Sequence, residues 1–268
     1  MSNSGDDRFE LDRELAADRA ADFIREKLSA ARREDAIIGL SGGIDSAVAA
    51  FLTVRALGSD ALTAFMLPYR TSAESSLTDA KLVADNIGIA HQVIDISPMV
   101  DAYFASYPDA NRLRRANMMA RQRMAVLYDQ SERLDALVVG TGNRTEALLG
   151  YTTLWGDMAS AFNPTGDLYK TQVRALADHL GVPREIIEKP PTADLWQGQT
   201  DEGELGFSYD TADQVLERLI DRGMSEEDVA AEGFDEEIVR RVAEMVAGSQ
   251  FKRRMPPSPP LRETARLG

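Results

Sequence analysis

Ser41-Gly42-Gly43-Ile44-Asp45-Ser46 follows the apolar run Ala36-Ile37-Ile38-Gly39-Leu40 and leads into residues 47–57, rich in Ala, Leu and Val. The run before it has the composition of a short buried strand, and the stretch after it predicts a helix. A glycine pair at such a strand-to-helix turn lets the backbone approach a ligand where a Cβ would clash. The helix start adds unpaired N–H groups and the positive end of its dipole, and Ser41 and Ser46 add hydroxyls, so the loop suits a phosphate or pyrophosphate. Asp45 is the odd member. A carboxylate beside bound phosphate repels it unless a cation lies between, so the hexapeptide implies Mg²⁺ as well as a nucleotide. No G-x-x-x-x-G-K-[ST] occurs in the chain, and no G-x-G-x-x-G opens a helix after a strand. Neither a Walker-type loop nor a dinucleotide fingerprint is therefore supported.

Working outward, strand signals recur at residues 36–40, 62–67, 92–96 and 136–139, with helical patterns at 11–31, 47–57, 74–87 and 117–133. Short strands alternating with helices predict an α/β fold, an open doubly wound parallel β-sheet of about five strands with flanking helices. Ligands are then expected at the carboxyl ends of the strands. Past residue 150 the pattern loosens: helices are expected at 168–180, 211–222 and 235–246, with a polar run at 197–206 between the first two. No internal repeat or second-domain boundary interrupts residues 1–268, which read as one domain. A lid loop is expected near 192–208 and an irregular proline-rich tail at 255–268.

Composition narrows the function. The 268 residues carry 30 basic and 44 acidic side chains, a net charge of −14. Such a surface repels a nucleic-acid backbone, so no nucleic-acid partner is expected. No apolar run approaches the roughly 18 residues of a membrane span, and the polar start MSNSGDDRFE lacks the apolar core of a signal peptide. The expectation is a cytoplasmic protein without a membrane partner. There is no cysteine, which excludes disulfides, thiolate metal sites and a cysteine nucleophile. Only five of the basic residues are lysines, at 27, 81, 170, 189 and 252. His91 and His179 are isolated and support no catalytic or zinc role.

A second glycine-rich turn follows a strand signal at Val138-Val139-Gly140-Thr141-Gly142-Asn143-Arg144-Thr145-Glu146. In an open sheet it reaches the same edge as the first loop, where Glu146 could meet Asp45 around one Mg²⁺. By itself Glu146 also reads as an ordinary first-turn helix carboxylate. Lys170, in Gly166-Asp167-Leu168-Tyr169-Lys170-Thr171, sits near a helix start, which is unfavourable for the dipole unless an anion is present. It reads either as a surface lysine or as a phosphate contact. The segment from Lys189 to Glu202, containing Thr192, is too polar and too rich in proline and glycine for a core element and suits a lid over a reactive intermediate.

These motifs resemble known families. The hexapeptide is similar to the pyrophosphate loop of the ATP-pyrophosphatase superfamily, whose sheet is of the adenine nucleotide alpha hydrolase type. The Asn117-to-Met124 helix, VVGTGNRTE, GDLYKTQVRALA, KPPTADLWQGQTDEGELGFSY and Lys252-Arg253-Arg254-Met255-Pro256 resemble NAD synthetase, ammonia-dependent type, over nearly the whole chain. That resemblance implies ATP-dependent amidation of deamido-NAD: the nicotinate carboxylate is adenylated with loss of pyrophosphate, and ammonia then displaces AMP. It implies that Ser41, Gly42, Gly43, Ile44, Asp45, Ser46 and Thr141 hold ATP, and that Asp45 and Glu146 bind Mg²⁺. Lys170 and Thr192 would steady the departing pyrophosphate, with Asp45 and Asp157 also at the catalytic centre. On the substrate side it implies Asn117, Arg121, Tyr128 and Asp157, the first three spaced to share one helix face. It further implies a homodimer. Ile44, Leu154 and Ala161 depart from the pattern of many ammonia-using members, and residues 152–162 look more like the glutamine-dependent branch. With no cysteine on the chain, free ammonia is the expected nitrogen donor.

Overall fold

The computed structural model describes residues 10–192 and 200–260. Four parallel strands, β1 (Ala36–Gly39), β2 (Leu62–Met66), β3 (Ala90–Val93) and β4 (Leu137–Val139), form one sheet in the order β3-β2-β1-β4. Ala36 stands opposite Leu62 on one side and Leu137 on the other. Consecutive side chains of a strand face opposite ways, and this alternation builds two cores. Ile38 and Ala64 pack against α1 (Arg13–Ala31), α2 (Ile44–Leu57), α3 (Glu74–Ile87) and α7 (Lys170–Leu180) through residues such as Ile24, Leu52, Val83 and Leu176. Ile37, Phe65 and Val138 face α4 (Ser97–Phe104) and α5 (Arg112–Leu134) through Val100, Phe104, Met119 and Val126. The doubly wound class is thus as the sequence predicts.

From β1 the chain steps outward to β2 and β3, then crosses back to place β4 on the free side of β1. The crevice where the strand order reverses therefore lies between the ends of β1 and β4, the position where open α/β sheets bind ligands. A fifth strand is absent among the described residues. Its place beyond β4 is taken by a single parallel bridge, Val139 to Phe162, in which Gly140 N–H donates to Phe162 O at 2.7 Å and Ala161 N–H to Val138 O at 2.9 Å. Pro164, two residues on, has no N–H with which to extend that ladder.

The rest of the chain adds a helical layer. It comprises α6 (Arg144–Leu149), α9 (Asp201–Leu205), α10 (Tyr209–Leu216), α11 (Glu226–Ala231) and α12 (Glu236–Ser249), with a π-helical turn at Glu217–Asp221 and a 3₁₀ turn at Gln250–Arg253, whereas the short α8 (Arg184–Ile187) buries Ile186 in the sheet core beside α2 and α7. Leu149, Leu205, Tyr209, Val215, Val229 and Val242 share its core, separate from the two on the sheet. Of the expected lid, residues 193–199 lie outside the described residues, and Asp201 onward is a short helix rather than a loop, with Asp201 and Leu205 buried. Of the expected irregular tail, residues 255–260 are exposed and neither helix nor strand, and 261–268 lie outside the described residues.

Candidate active site

The β1–α2 turn is fixed by its own polar groups. Gly42 has φ +78°, and a Cβ there would fall 2.3 Å from the Ser76 carbonyl oxygen, so both backbone shape and space demand glycine. Ser41 Oγ accepts from Gly43 N–H at 3.2 Å and lies 3.1 Å from Ser46 Oγ, whose hydroxyl donates to Gly43 O at 3.0 Å. No side chain caps the start of α2. Its first N–H groups therefore have no capping side chain, which is compatible with an anion at that helix start.

The β4–α6 turn comes to meet it. Asn143 caps α6 by accepting from Glu146 N–H at 2.9 Å, and its amide donates to Asp45 Oδ1 at 2.9 Å. Lys170, the first residue of α7 and only 2 % exposed, donates to Asp45 Oδ2 at 2.5 Å and to Glu146 Oε1 at 2.8 Å. Residues 45, 146 and 170, far apart in sequence, thus form one ion cluster, and a surface placement for Lys170 is excluded. The Tyr209 ring lies 4.9 Å from the ammonium, and its hydroxyl reaches Glu146 Oε1 at 3.3 Å and Asp201 Oδ2 at 3.1 Å. Burial pushes the Glu146 carboxyl up to about 7; the Lys170 ammonium opposes this and Asp45 adds to it. For Lys170 burial works downward, but Asp45 and Glu146 together hold its pKa above the ordinary value.

With all three ionised the cluster carries one net negative charge and two hard carboxylate donors, a set that fits Mg²⁺. Among the described residues no group of three or more His, Cys, Asp or Glu side chains is arranged to hold a metal by itself. A magnesium ion held there would need further oxygen ligands from outside these two carboxylates.

Both turns line a cavity of about 820 Å³ that reaches across to α5 and to residues 150–160. Ser41, Gly43, Ile44, Asp45, Ser46, Thr141, Glu146, Lys170 and Thr192 lie on its wall, as do Asn117 and Asp157. Thr153 ties the last two together: its hydroxyl donates to Asn117 Oδ1 at 2.8 Å and its N–H to Asp157 Oδ1 at 2.6 Å. Burial pushes the Asp157 carboxyl upward, against the Thr153 N–H and the nearby Lys252 and Arg123 charges. Lys252 also faces the cavity, anchored by the carbonyls of Gly150 and Thr152 at 2.8 Å each. Gly42, Arg121 and Tyr128 are not on the wall. Arg121 is exposed and holds Leu154 O at 3.2 and 3.3 Å, and Tyr128 is 39 % exposed farther along α5.

Sequence reasoning did not single out Asn143, Tyr209 or Asp201 for the site. Asn143 had a usable signal, since an Asn three residues before a Glu at a strand-to-helix turn is an N-cap pattern. Tyr209 and Asp201 had none, because only the packing of the helical layer brings them to Glu146.

A family model described as NAD synthase matches residues 16–256. The chain belongs to the NAD synthase family. It is 52 % identical over 234 residues to the NH(3)-dependent NAD(+) synthetase of Chlorobaculum tepidum, covering 87 % of this chain and 84 % of that protein. With the protein of the same description from Trichlorobacter lovleyi it shares 49 % over 249 residues, 93 % of this chain and 91 % of the other. Among solved structures, an NMN synthetase from Francisella tularensis superposes with a TM-score of 0.84 at 32 % identity, covering 94 % of this chain and all of that one. An NH3-dependent NAD synthetase from Campylobacter jejuni in complex with nitrate gives a TM-score of 0.80 at 30 % identity, covering 93 % and 100 %. Family membership accounts for the α/β architecture and for a site built on ATP chemistry. No helix among the described residues is long and apolar enough to cross a membrane.

Proposed function

We propose that this chain amidates deamido-NAD with ammonia at the expense of ATP. The observation that carries the reading is the placement of Lys170 Nζ between Asp45 and Glu146, on the wall of one cavity with the Ser41–Ser46 loop and Asp157. A carboxylate is a poor electrophile, so its oxygen must become a better leaving group before nitrogen can attack. In the first step a nicotinate oxygen bonds to the α-phosphorus of ATP and the bond from that phosphorus to the bridging oxygen of pyrophosphate breaks. In the second, the ammonia lone pair attacks the acyl carbon, the C–O bond to AMP breaks, and one proton is released.

The loop and the start of α2 hold the phosphates. Lys170 and Thr192 face the pyrophosphate and stabilise its negative charge as it departs. Asp45 and Glu146 would hold Mg²⁺, which when bound neutralises the phosphate oxygens. Asn143 keeps Asp45 oriented through its 2.9 Å hydrogen bond. Asn117 and Asp157, joined by Thr153, place the nicotinate end, and Asp157 is positioned to orient ammonium and take up its proton.

The reading includes a cytoplasmic, homodimeric enzyme. Met99, Tyr103, Tyr107 and Leu113, on and between α4 and α5, are 40–68 % exposed, an apolar face suited to a second copy. The test is to supply purified protein with ATP, Mg²⁺, ammonium and deamido-NAD and to assay AMP, pyrophosphate and NAD together, beside light scattering for mass. Equal yields of the three products with ammonium, and none with glutamine, are expected. Turnover of a nicotinate mononucleotide in place of deamido-NAD would move the substrate, and turnover only with glutamine would overturn the nitrogen source.

A further inference from the structure

Asp213 takes no part in the chemistry above, yet it is a carboxylate with 0 % exposure in the middle of α10. It does not line the cavity. Its Oδ1 accepts from Thr145 Oγ1 at 2.5 Å, and its Oδ2 accepts from both the N–H and the hydroxyl of Thr171 at 2.8 Å. Thr145 Oγ1 in turn accepts the backbone N–H of Lys170 at 2.9 Å. Thr145 precedes Glu146 and Thr171 follows Lys170, so one buried carboxylate grips the neighbours of both members of the ion cluster.

The start of α7 needs such a partner. Its first residue is a cation, and its first turn contains no acidic residue. A cation at the positive end of a helix dipole is unfavourable, and the first N–H groups of a helix have no partner within it. Asp213 supplies the missing anion and acceptor from another helix. The three donors it accepts also explain why a carboxylate is tolerated where no water reaches it.

We infer that Asp213 is a positioning residue for adenylation, holding α6 and α7 in register so that Lys170 Nζ stands between Asp45 and Glu146. The inference rests on the proposed role of Lys170 at the departing pyrophosphate. Lys170 reaches the cluster through a flexible four-carbon stem, so its head is only as well placed as the helix start that carries it. A displacement of about 1 Å at a reacting group costs on the order of 100-fold in rate.

The test measures pyrophosphate release by the full chain with ATP, Mg²⁺, deamido-NAD and ammonium. Asp213→Ala is expected to lower kcat roughly 100-fold while KM for ATP stays within about threefold, because the loop that binds the phosphates is untouched. Asp213→Asn, which keeps an acceptor for Thr171, is expected to recover about tenfold of that loss. Val242→Ala, in the same helical core, should lower the melting temperature and leave kcat unchanged. If Asp213→Ala does not fold, Thr145→Val, which removes the link to Lys170 at nearly constant shape, should give the same split. A kcat within about twofold of wild type in both Asp213→Ala and Thr145→Val, or an equal fall in Val242→Ala, overturns the assignment alone. A wild-type protein inactive with deamido-NAD overturns the functional reading, and this assignment with it.

Discussion

The two ends of the cavity are built differently. At the end proposed for ATP, Asp45, Glu146 and Lys170 come from turns and helix starts that sheet topology forces together, and each is held by a named partner: Asn143, Tyr209 or Thr145. At the end proposed for deamido-NAD, Asn117 and Asp157 are joined through Thr153, while Arg121 and Tyr128 stand exposed outside the wall. Trp155 there is 49 % exposed with φ 57°, a backbone region that a bulky side chain rarely adopts. A preorganised end suits charge stabilisation, which loses most when donors must reorganise during reaction. An open end suits a large dinucleotide that must enter and leave.

The sharpest way to break this contrast is at Asp45. Asp45→Asn keeps the shape and one acceptor oxygen but removes a charge from the cluster, leaving Lys170 with only Glu146. Pyrophosphate release is expected to fall by at least roughly 10³-fold, at the upper end for loss of one electrostatic group, with little change in thermal unfolding. Near-normal release would remove Asp45 from the metal and phosphate roles.

Legibility in the sequence follows the same division. The strand-turn-helix at residues 36–57 and the one at 138–149 were readable because an apolar run, glycines and a helical pattern follow one another within a short stretch of chain. Lys170 stood out because a cation at a helix start contradicts the local dipole, but that alone left a surface lysine equally open; its burial between Asp45 and Glu146 decides between the two. By contrast, Asp213 looks like any polar position of an amphipathic helix; only the packing of α10 on α6 and α7 makes it a buried acceptor. Of the roughly five strands expected, only four had sequence signals and four form; beyond β4 there is one bridge at Phe162, with Pro164 following. Arg121 and Tyr128 share a helix with Asn117, but periodicity fixes a face and not what lies opposite it.

A smaller effect is expected at Glu146, and it separates activity from stability. Its carboxyl is raised from 4.5 to about 7 by burial, so folding favours its protonated form. The stability it contributes is complete below about pH 4.5 and is lost as the pH rises through about 7. Glu146→Gln should lower pyrophosphate release about 100-fold and flatten the decline of the apo melting temperature between those pH values. A variant whose melting temperature falls with pH as steeply as the wild type's would show that Glu146 is ionised throughout.

The smallest effects are expected at the open end, and they test whether the cavity wall bounds the substrate. Asn117→Ala removes the acceptor for the Thr153 hydroxyl, loosening the segment that also carries Asp157. Loss of one such hydrogen bond costs about 1 kcal/mol, so KM for deamido-NAD should rise roughly five- to tenfold. KM for ATP should not move, because the hydrogen bond of Asn117 runs to Thr153 and not to the phosphate loop. Tyr128→Phe removes only a hydroxyl outside the wall, and KM should stay within about twofold in a single copy. An increase in Tyr128→Phe as large as in Asn117→Ala would mean that the substrate extends over the exposed face of α5. In the homodimeric reading that face borders the second copy, so the same result should then depend on protein concentration, with KM rising as the dimer is diluted apart.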